Sequence, residues 1–238
     1  MERSALGDIN IFFNNGLFYA FSKREGRLNE KDQKYKSLME ENNKIILTKG
    51  KKYNFLFDTS TILYFQTLYE HCGASIFEAL KECKEVNFFV VTDVLSELMQ
   101  GKKGINPTQL NSFFDHILNP ESSMDHDRKE NRFLIEDNGK IKYIVLNNIS
   151  ATDYAQILIC QNHKTLILVA NDKKMLKSAI QVIKERRVIG IPALLNWLLV
   201  LYPDNGRLKA LKETGDKLFI KRHAFGNVSE EQFNKELM

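Results

Sequence analysis

The sequence predicts an α/β protein in which a parallel sheet is covered by helices on both faces. From residue 53 onwards, short apolar runs typical of buried strands alternate with segments that carry apolar residues at helical spacing. The run at 165–170 is continuously apolar after its first residue, which is typical of a parallel strand buried on both faces. Because strand–helix–strand units form right-handed crossovers, this alternation favours a parallel sheet between two layers of helices.

The strands of this sheet are predicted from apolar runs bounded by polar or turn residues. Each run is short, as expected for strands of a compact domain. The predicted strands are 55–57, 86–91, 141–146, 165–170 and 188–189.

The intervals between these strands carry helical patterns. Gly73 interrupts the first helical interval, and Gly101 ends the second. The segment 101–140 is polar and only partly helical, with a charged loop at 121–130. The predicted helices are 61–84, 92–100, 110–118, 150–162, 172–184 and a last one that begins near residue 192.

Two segments flank the core, which we assign to residues 53–203. The N-terminal segment, 1–52, begins with an aromatic run split by Asn-Asn-Gly, which predicts two short strands joined by a turn. It continues as a polar, mostly basic stretch that looks helical at 30–43. The C-terminal segment, 204–238, is polar, and a capping box that begins at Ser229 predicts a terminal helix.

Composition limits the class of protein. With 43% hydrophobic and 27% charged residues, the chain can bury a core, which argues against global disorder. The net charge of +4 is compatible with a polyanionic partner. Three cysteines without paired spacing indicate a reducing compartment. The apolar stretch at 191–202 contains Asn196 and is too short to span a membrane, so we expect a soluble cytoplasmic protein.

Four acidic residues stand where a parallel sheet would gather them. Asp58 directly follows the first strand and Asp172 closely follows the fourth, while Glu97 and Asp153 lie on helices that follow strands. The carboxyl ends of parallel strands meet at one edge of the sheet. Carboxylates gathered there repel one another unless a cation lies between them. Oxygen ligands suit Mg²⁺ or Mn²⁺, which can activate water for phosphodiester hydrolysis.

Other kinds of site are disfavoured by missing motifs. The chain has neither G-x-G-x-x-G nor a P-loop, so a glycine loop for nucleotides is not expected. It has neither CxxC nor HExxH, which argues against zinc. The acidic residues also have a purely structural interpretation. Asp58 and Asp172 could be helix N-caps, Asp153 could belong to a capping box with Ser150, and Glu97 could be a solvated surface residue.

The four acidic motifs resemble those of PIN-domain nucleases, in the same order and over about residues 53–200. They read Phe-Leu-Phe-Asp-Thr-Ser at 55–60, Val-Leu-Ser-Glu-Leu at 94–98, Ser-Ala-Thr-Asp at 150–153 and Val-Ala-Asn-Asp-Lys at 169–173. The resemblance implies a five-stranded parallel α/β/α sandwich. It also implies metal-dependent cleavage of single-stranded RNA that leaves a 3′-hydroxyl and a 5′-phosphate.

The resemblance implies residue roles as well. The metal ligands would be Asp58, Glu97, Asp153 and Asp172. Supporting hydrogen bonds would come from Thr59, Ser60 and Asn171. Ala170 departs from the family, which often has Thr or Ser there. Independently of the resemblance, a basic stretch beside Asp172 offers phosphate contacts through Lys173, Lys174 and Lys177.

Several functions remain compatible with the sequence. The leading hypothesis is a metal-dependent endoribonuclease, and a homodimer is an expectation at the level of the family. One alternative is the toxin of a toxin–antitoxin pair, which would bind a small antitoxin protein. Another is a non-catalytic PIN-fold scaffold for RNA or protein partners. A DNA-directed nuclease is a further alternative, although such relatives usually carry more acidic residues and a helical arch.

Overall fold

The computed structural model describes residues 9–14, 17–22, 50–100, 116–119, 130–147, 149–183 and 187–224. Within these ranges, five strands pair in parallel to form one sheet. The predicted α/β class with a parallel, five-stranded sheet is therefore confirmed. From one edge of the sheet to the other, its strands are β5 (His116–Leu118), β4 (Val86–Val91), β3 (Tyr53–Phe57), β8 (Leu166–Ala170) and β9 (Val188–Gly190).

Helices cover both faces of the sheet. The crossover from β3 to β4 and the crossover from β8 to β9 run in opposite directions from the centre of the sheet, so right-handed connections place their helices on opposite faces. The helices are α1 (Thr59–Cys72), α2 (Ile76–Lys81), α3 (Thr92–Gln100), α4 (Ala151–Asn162), α5 (Lys173–Val182), α6 (Ile191–Leu201) and α7 (Gly206–Ala224). The helix α7 packs on α1, α2 and α6 and completes the layer that contains α1 and α2.

The core lies on the two central strands. Every residue of β8 is buried, as predicted from its apolar run. On β3, Phe57 is fully buried, and its ring lies 6.1 Å from that of Phe65 and 6.0 Å from that of Phe88. Between α1 and α2, Gly73 adopts a left-handed conformation with φ of 67°, which explains the predicted interruption at this residue.

The prediction for the third strand of the sheet is wrong. The strand at the edge of the sheet is β5, which includes residues 116–118 of the predicted helix 110–118; residues 110–115 lie outside the described ranges. The predicted strand 141–146 does form, but as β7 (Lys140–Val145), which pairs antiparallel with β6 (Arg132–Asp137) in a separate hairpin.

The turn of this hairpin explains the error. Asn138 and Gly139 both have positive φ angles, 53° and 74°, as a two-residue type I′ turn requires. Asn-Gly flanked by alternating apolar residues is a strong signal for a hairpin. The antiparallel pairing satisfies the strand locally, so it is not available to the parallel sheet.

At the N-terminus, β1 (Ile9–Asn14) and β2 (Leu17–Ser22) pair antiparallel, which confirms the two short strands predicted there. The predicted helical stretches at 30–43 and after Ser229 lie outside the described residues. The described part of the chain contains no helix both long and apolar enough to cross a membrane.

Candidate active site

The carboxyl edge of the sheet gathers the predicted acidic residues. Asp58 follows β3 and Asp172 follows β8, and these strands are neighbours, with Phe57 paired to Val169. Glu97 lies on α3, which begins directly after β4, and Asp153 lies in the first turn of α4. Since α3 packs against both α1 and α4, four different helices meet beside this edge.

Asp58 is the most buried of these carboxylates, with 4% of its surface exposed. It caps the N-terminus of α1 by accepting a hydrogen bond from the backbone N–H of Ser60 at 3.1 Å. Its second oxygen, Oδ1, accepts from Nε2 of Gln156 at 3.0 Å. Burial raises the pKa of Asp58 above its ordinary value, although these hydrogen bonds oppose the shift. The site therefore holds a carboxylate whose charge is costly to maintain.

The hydroxyl of Ser60 links the two central strands. It donates to Oδ2 of Asp58, and it accepts from the backbone N–H groups of Asn171 at 3.0 Å and Asp172 at 3.1 Å. One residue later, the hydroxyl of Thr61 donates to the carbonyl of Val169 on β8 at 2.8 Å. These bonds fix the start of α1 against the end of β8, so Asp58 and Asp172 have a defined relative position.

Replacing Ser60 with Ala is expected to lower the free energy of unfolding by about 1–3 kcal/mol, because two backbone N–H groups lose their partner and Oδ2 of Asp58 loses one of its two donors. Thermal unfolding should report this as a fall in Tm of about 2–4 °C for each kcal/mol. The matched control is Ser96→Ala, since that hydroxyl bonds only the carbonyl of Thr92 in its own helix. Equal effects in both variants would contradict a linking role for Ser60.

The hydroxyl of Thr59 donates to Oε2 of Glu97 at 2.5 Å. This bond joins the first residue of α1 to α3, across 38 positions of sequence. The side chain of Glu97 is exposed, and this bond ties it to the residue that follows Asp58.

Asp153 forms a complete capping box with Ser150. Its Oδ2 accepts from the backbone N–H of Ser150 at 2.9 Å, and its own N–H donates to the hydroxyl of Ser150 at 3.0 Å. Burial raises the pKa of Asp153; the charges of Asp58 and Glu97 raise it further, while the bonds from Ser150 oppose the shift. The charges at this edge of the sheet therefore disfavour ionisation of Asp153.

Gln156 is a site residue that the sequence analysis missed. Its side chain is fully buried, it donates to Asp58, and its Oε1 has no hydrogen-bond partner among the described residues. A signal was present, because Gln156 lies three residues after Asp153 on the same helical face, within an otherwise apolar run. Buried polar side chains usually have a partner, which marks such a residue for attention.

Asp172 and its neighbours lie at the exposed side of the site. The carboxylate of Asp172 caps α5 by accepting from the backbone N–H of Lys174 at 2.7 Å. Asn171 is exposed and its backbone bonds Ser60. Lys173 and Lys174 begin α5, and Lys177 lies one turn further along it. Asp172 and Asp58 are joined through Ser60 and not by direct contact.

As they stand, these carboxylates are engaged in hydrogen bonds. In the ranges that the structure describes, no three side chains of His, Cys, Asp or Glu are grouped so as to hold a metal ion. Three of the four acidic residues act as helix caps or as part of a capping box, as the structural interpretation of the sequence expects. The arrangement provides several carboxylate oxygens at one edge of the sheet. Beside Asp58 it also provides a buried amide oxygen, Oε1 of Gln156, that accepts no hydrogen bond from the described residues.

Comparison with known proteins gives a distant structural similarity. No protein-family model matches the sequence, and no curated protein matches it. Among solved structures, the chain is similar to the PIN domain endonuclease Utp24, at 16% sequence identity and a TM-score of 0.32, over 54% of this chain and 78% of that chain. A similarity of this size does not assign an activity, so function must be argued from the site.

Proposed function

We propose that this protein is a metal-dependent nuclease of the PIN type that hydrolyses phosphodiester bonds in single-stranded RNA. The observation that supports this best is that hydrogen bonds connect the elements carrying Asp58, Glu97 and Asp153 at one edge of the sheet: Gln156, on the helix of Asp153, donates to Asp58, and Thr59, next to Asp58, donates to Glu97. Folding gathers like charges only at a cost, and a hard cation is the usual compensation. Phosphodiester hydrolysis is the reaction that needs such carboxylates and no nucleophilic side chain.

The donor set fits Mg²⁺ or Mn²⁺ in its chemistry. Asp58, Glu97, Asp153 and Asp172 offer carboxylate oxygens, and Gln156 adds a buried amide oxygen that is still free to accept. When bound, such an ion lowers the pKa of a water molecule and neutralises charge on the scissile phosphate. Because the carboxylates now accept hydrogen bonds, we propose that some of them turn away from these bonds to bind the ion.

The remaining residues would orient the site and the substrate. The hydroxyl of Ser60 forms hydrogen bonds with Asp58 and with the backbone just before α5, and the hydroxyl of Thr59 donates to Glu97. Lys173 and Lys174 begin α5 directly after Asp172, and Lys177 follows one turn later; positive charge here would offset the repulsion between carboxylates and phosphate. We expect these lysines to bind the RNA backbone without sequence preference and with strong dependence on salt.

The test is cleavage of mixed single-stranded RNA and DNA with Mg²⁺ or Mn²⁺, comparing the wild type with Asp172→Asn. We expect cleavage of RNA that leaves 5′-phosphate ends. In the variant it should fall about 100-fold or more, equal to about 2.7 kcal/mol of barrier. The matched control is Asp204→Asn, an exposed turn residue after α6, which should cleave like the wild type.

Two results would contradict the proposal. Cleavage of DNA but not RNA would make the protein a deoxyribonuclease. No cleavage of either polymer, together with no Mn²⁺ binding by calorimetry, would remove the nuclease interpretation and favour a non-catalytic PIN-fold scaffold.

A further inference from the structure

The β6–β7 hairpin has one closed edge. Its two-residue turn makes Asp137 and Lys140 the first hydrogen-bonded pair, and such pairs then alternate along the ladder. The carbonyls of Arg132 and Leu134 consequently point away from β7. They accept hydrogen bonds from α4, from the hydroxyl of Tyr154 at 3.1 Å and from Nε2 of Gln161 at 2.5 Å. The free edge of β6 is thus covered by the chain's own helix.

The other edge of the hairpin is open. On β7, the same alternation turns the N–H and C=O groups of Ile141, Tyr143 and Val145 away from β6. In the part of the chain that the structure describes, β7 pairs with β6 alone. Three residues therefore present unpaired backbone donors and acceptors in a row, which is a template for another strand.

The side chains at this edge are apolar and exposed. Ile141 is 73% exposed, Tyr143 56% and Val145 54%. They share one face of the hairpin with Leu134, which is opposite Tyr143 in the ladder. The other face is the one that packs inwards, since the ring of Phe133 lies 4.4 Å from that of Tyr154. Clustered apolar side chains beside an open edge indicate an interaction surface.

We propose that β7 pairs with β7 of a second copy of this chain, antiparallel and centred on Tyr143. The two hairpins then form one four-stranded sheet. In this register Tyr143 faces its own counterpart, and Ile141 faces Val145 of the other copy. All three outward residues form hydrogen-bonded pairs, and the apolar side chains meet across the junction. Because the described part of the hairpin offers one open edge per chain, the contact closes as a two-fold dimer.

The charges of the hairpin favour a second copy over a nucleic acid. Lys142 is paired with Asp137, while Arg132 is paired with Glu130 and lies over the ring of Tyr143. The described hairpin offers no net positive charge to a phosphate backbone, because its basic residues are matched by as many acidic ones: Arg132, Lys140 and Lys142 against Glu130, Glu136 and Asp137. In the proposed register each Lys142 falls opposite Ile144 of the other copy. No lysine therefore faces a lysine directly, so the repulsion between like charges that would destabilise the strand pair is avoided.

The first experiment measures self-association of the full chain by sedimentation, for Tyr143→Lys and for the matched control Leu134→Lys. Both replace an exposed apolar side chain on the same face, but only residue 143 lies at the open edge. We expect a wild-type dimer whose dissociation constant rises about tenfold or more in Tyr143→Lys and less than about twofold in Leu134→Lys. A monomeric wild type would overturn the proposal, and so would equal effects in both variants.

The second experiment tests the register by disulfide trapping in a Cys72→Ser background, in which the remaining native cysteines, Cys83 and Cys160, are buried. Directly paired residues lie about 5.5 Å apart between Cα atoms, within reach of a disulfide. Tyr143→Cys should therefore cross-link to its own copy. Ile141→Cys alone should not, because two copies of residue 141 would be about 13 Å apart.

Mixing Ile141→Cys with Val145→Cys chains should restore the cross-link. A cross-link at residue 141 alone, without one at residue 143, would overturn the register. None of these measurements involves cleavage or metal, so the dimer and the nuclease can fail independently of each other.

Discussion

Replacing Asp58 with Asn is expected to reduce RNA cleavage by about 100-fold or more and, at the same time, to raise the Tm at neutral pH. Cleavage falls because the variant removes the buried carboxylate from the proposed metal site. Stability rises because the variant removes a charge that burial disfavours. Active-site substitutions of this kind gain on the order of 1 kcal/mol, or about 2–4 °C in Tm for a chain of this size.

Local hydrogen bonding also favours Asn at this position. Asn remains a good N-cap for α1 and keeps an oxygen for the backbone N–H of Ser60. Its amide N–H₂ group faces Gln156, whose amide can turn so that Oε1, unpartnered in the wild type, accepts a hydrogen bond from it. The matched comparison is Asp58→Ala, which loses the cap and should be less stable than the wild type.

The pH dependence of stability follows from the raised pKa of Asp58. In the folded protein this pKa lies above the ordinary value of 3.8, so the folded state binds the proton more tightly than the unfolded state does. The stability gained in this way is fully present below pH 3.8 and is lost as pH rises through the folded pKa. The Tm advantage of Asp58→Asn should thus be largest at neutral pH and shrink as pH falls towards 4. An advantage that is independent of pH would contradict this origin.

The central strands and the acidic residues at their ends were predictable because each depends on local sequence. A run such as 165–170 is apolar after its first residue and too short for a typical helix, which favours a strand buried on both faces of a parallel sheet. Asp58 follows such a run directly, and parallel topology then fixes which edge it occupies. Prediction therefore succeeded for the two central strands, β3 and β8, and for their direction.

The remaining features depend on contacts between distant residues. β5 is only three residues long and pairs at the edge of the sheet, so its pattern does not stand out from the polar segment around it. The partner of Gln156 is Asp58, 98 residues away, and no periodicity reports such a pairing. The β6–β7 hairpin is different, because its Asn-Gly turn is a local signal that was present in the sequence and overlooked.

Arg187 illustrates how a basic residue can belong to the core. It follows the basic stretch beside Asp172, yet it is only 8% exposed. Its Nη1 donates to the carbonyls of Cys160 at 2.6 Å, His163 at 3.2 Å and Leu166 at 3.0 Å. The guanidinium thereby satisfies carbonyl groups at the C-terminus of α4 and at the start of β8. Its positive charge also complements the dipole of α4.

Replacing Arg187 with Met is expected to lower the free energy of unfolding by about 3 kcal/mol or more. Two buried carbonyl groups and one partly buried one lose a charged donor that the side chain of Met cannot replace. Thermal or urea unfolding measures the loss, which corresponds to a fall in Tm of about 2–4 °C per kcal/mol. Arg187→Lys keeps the charge but not the fork geometry, so its loss should be smaller than that of Met.

The matched control is Arg207→Met, which removes an arginine of the same size from a half-exposed position. Arg207 forms surface ion pairs with Glu78 and Glu82, and such pairs contribute less than about 1 kcal/mol. If the two Met variants lost equal stability, the carbonyl contacts of Arg187 would not be the cause. A large loss at Arg187 alone would mean that its contacts with the carbonyl groups, and not a positive charge at the surface, stabilise the fold.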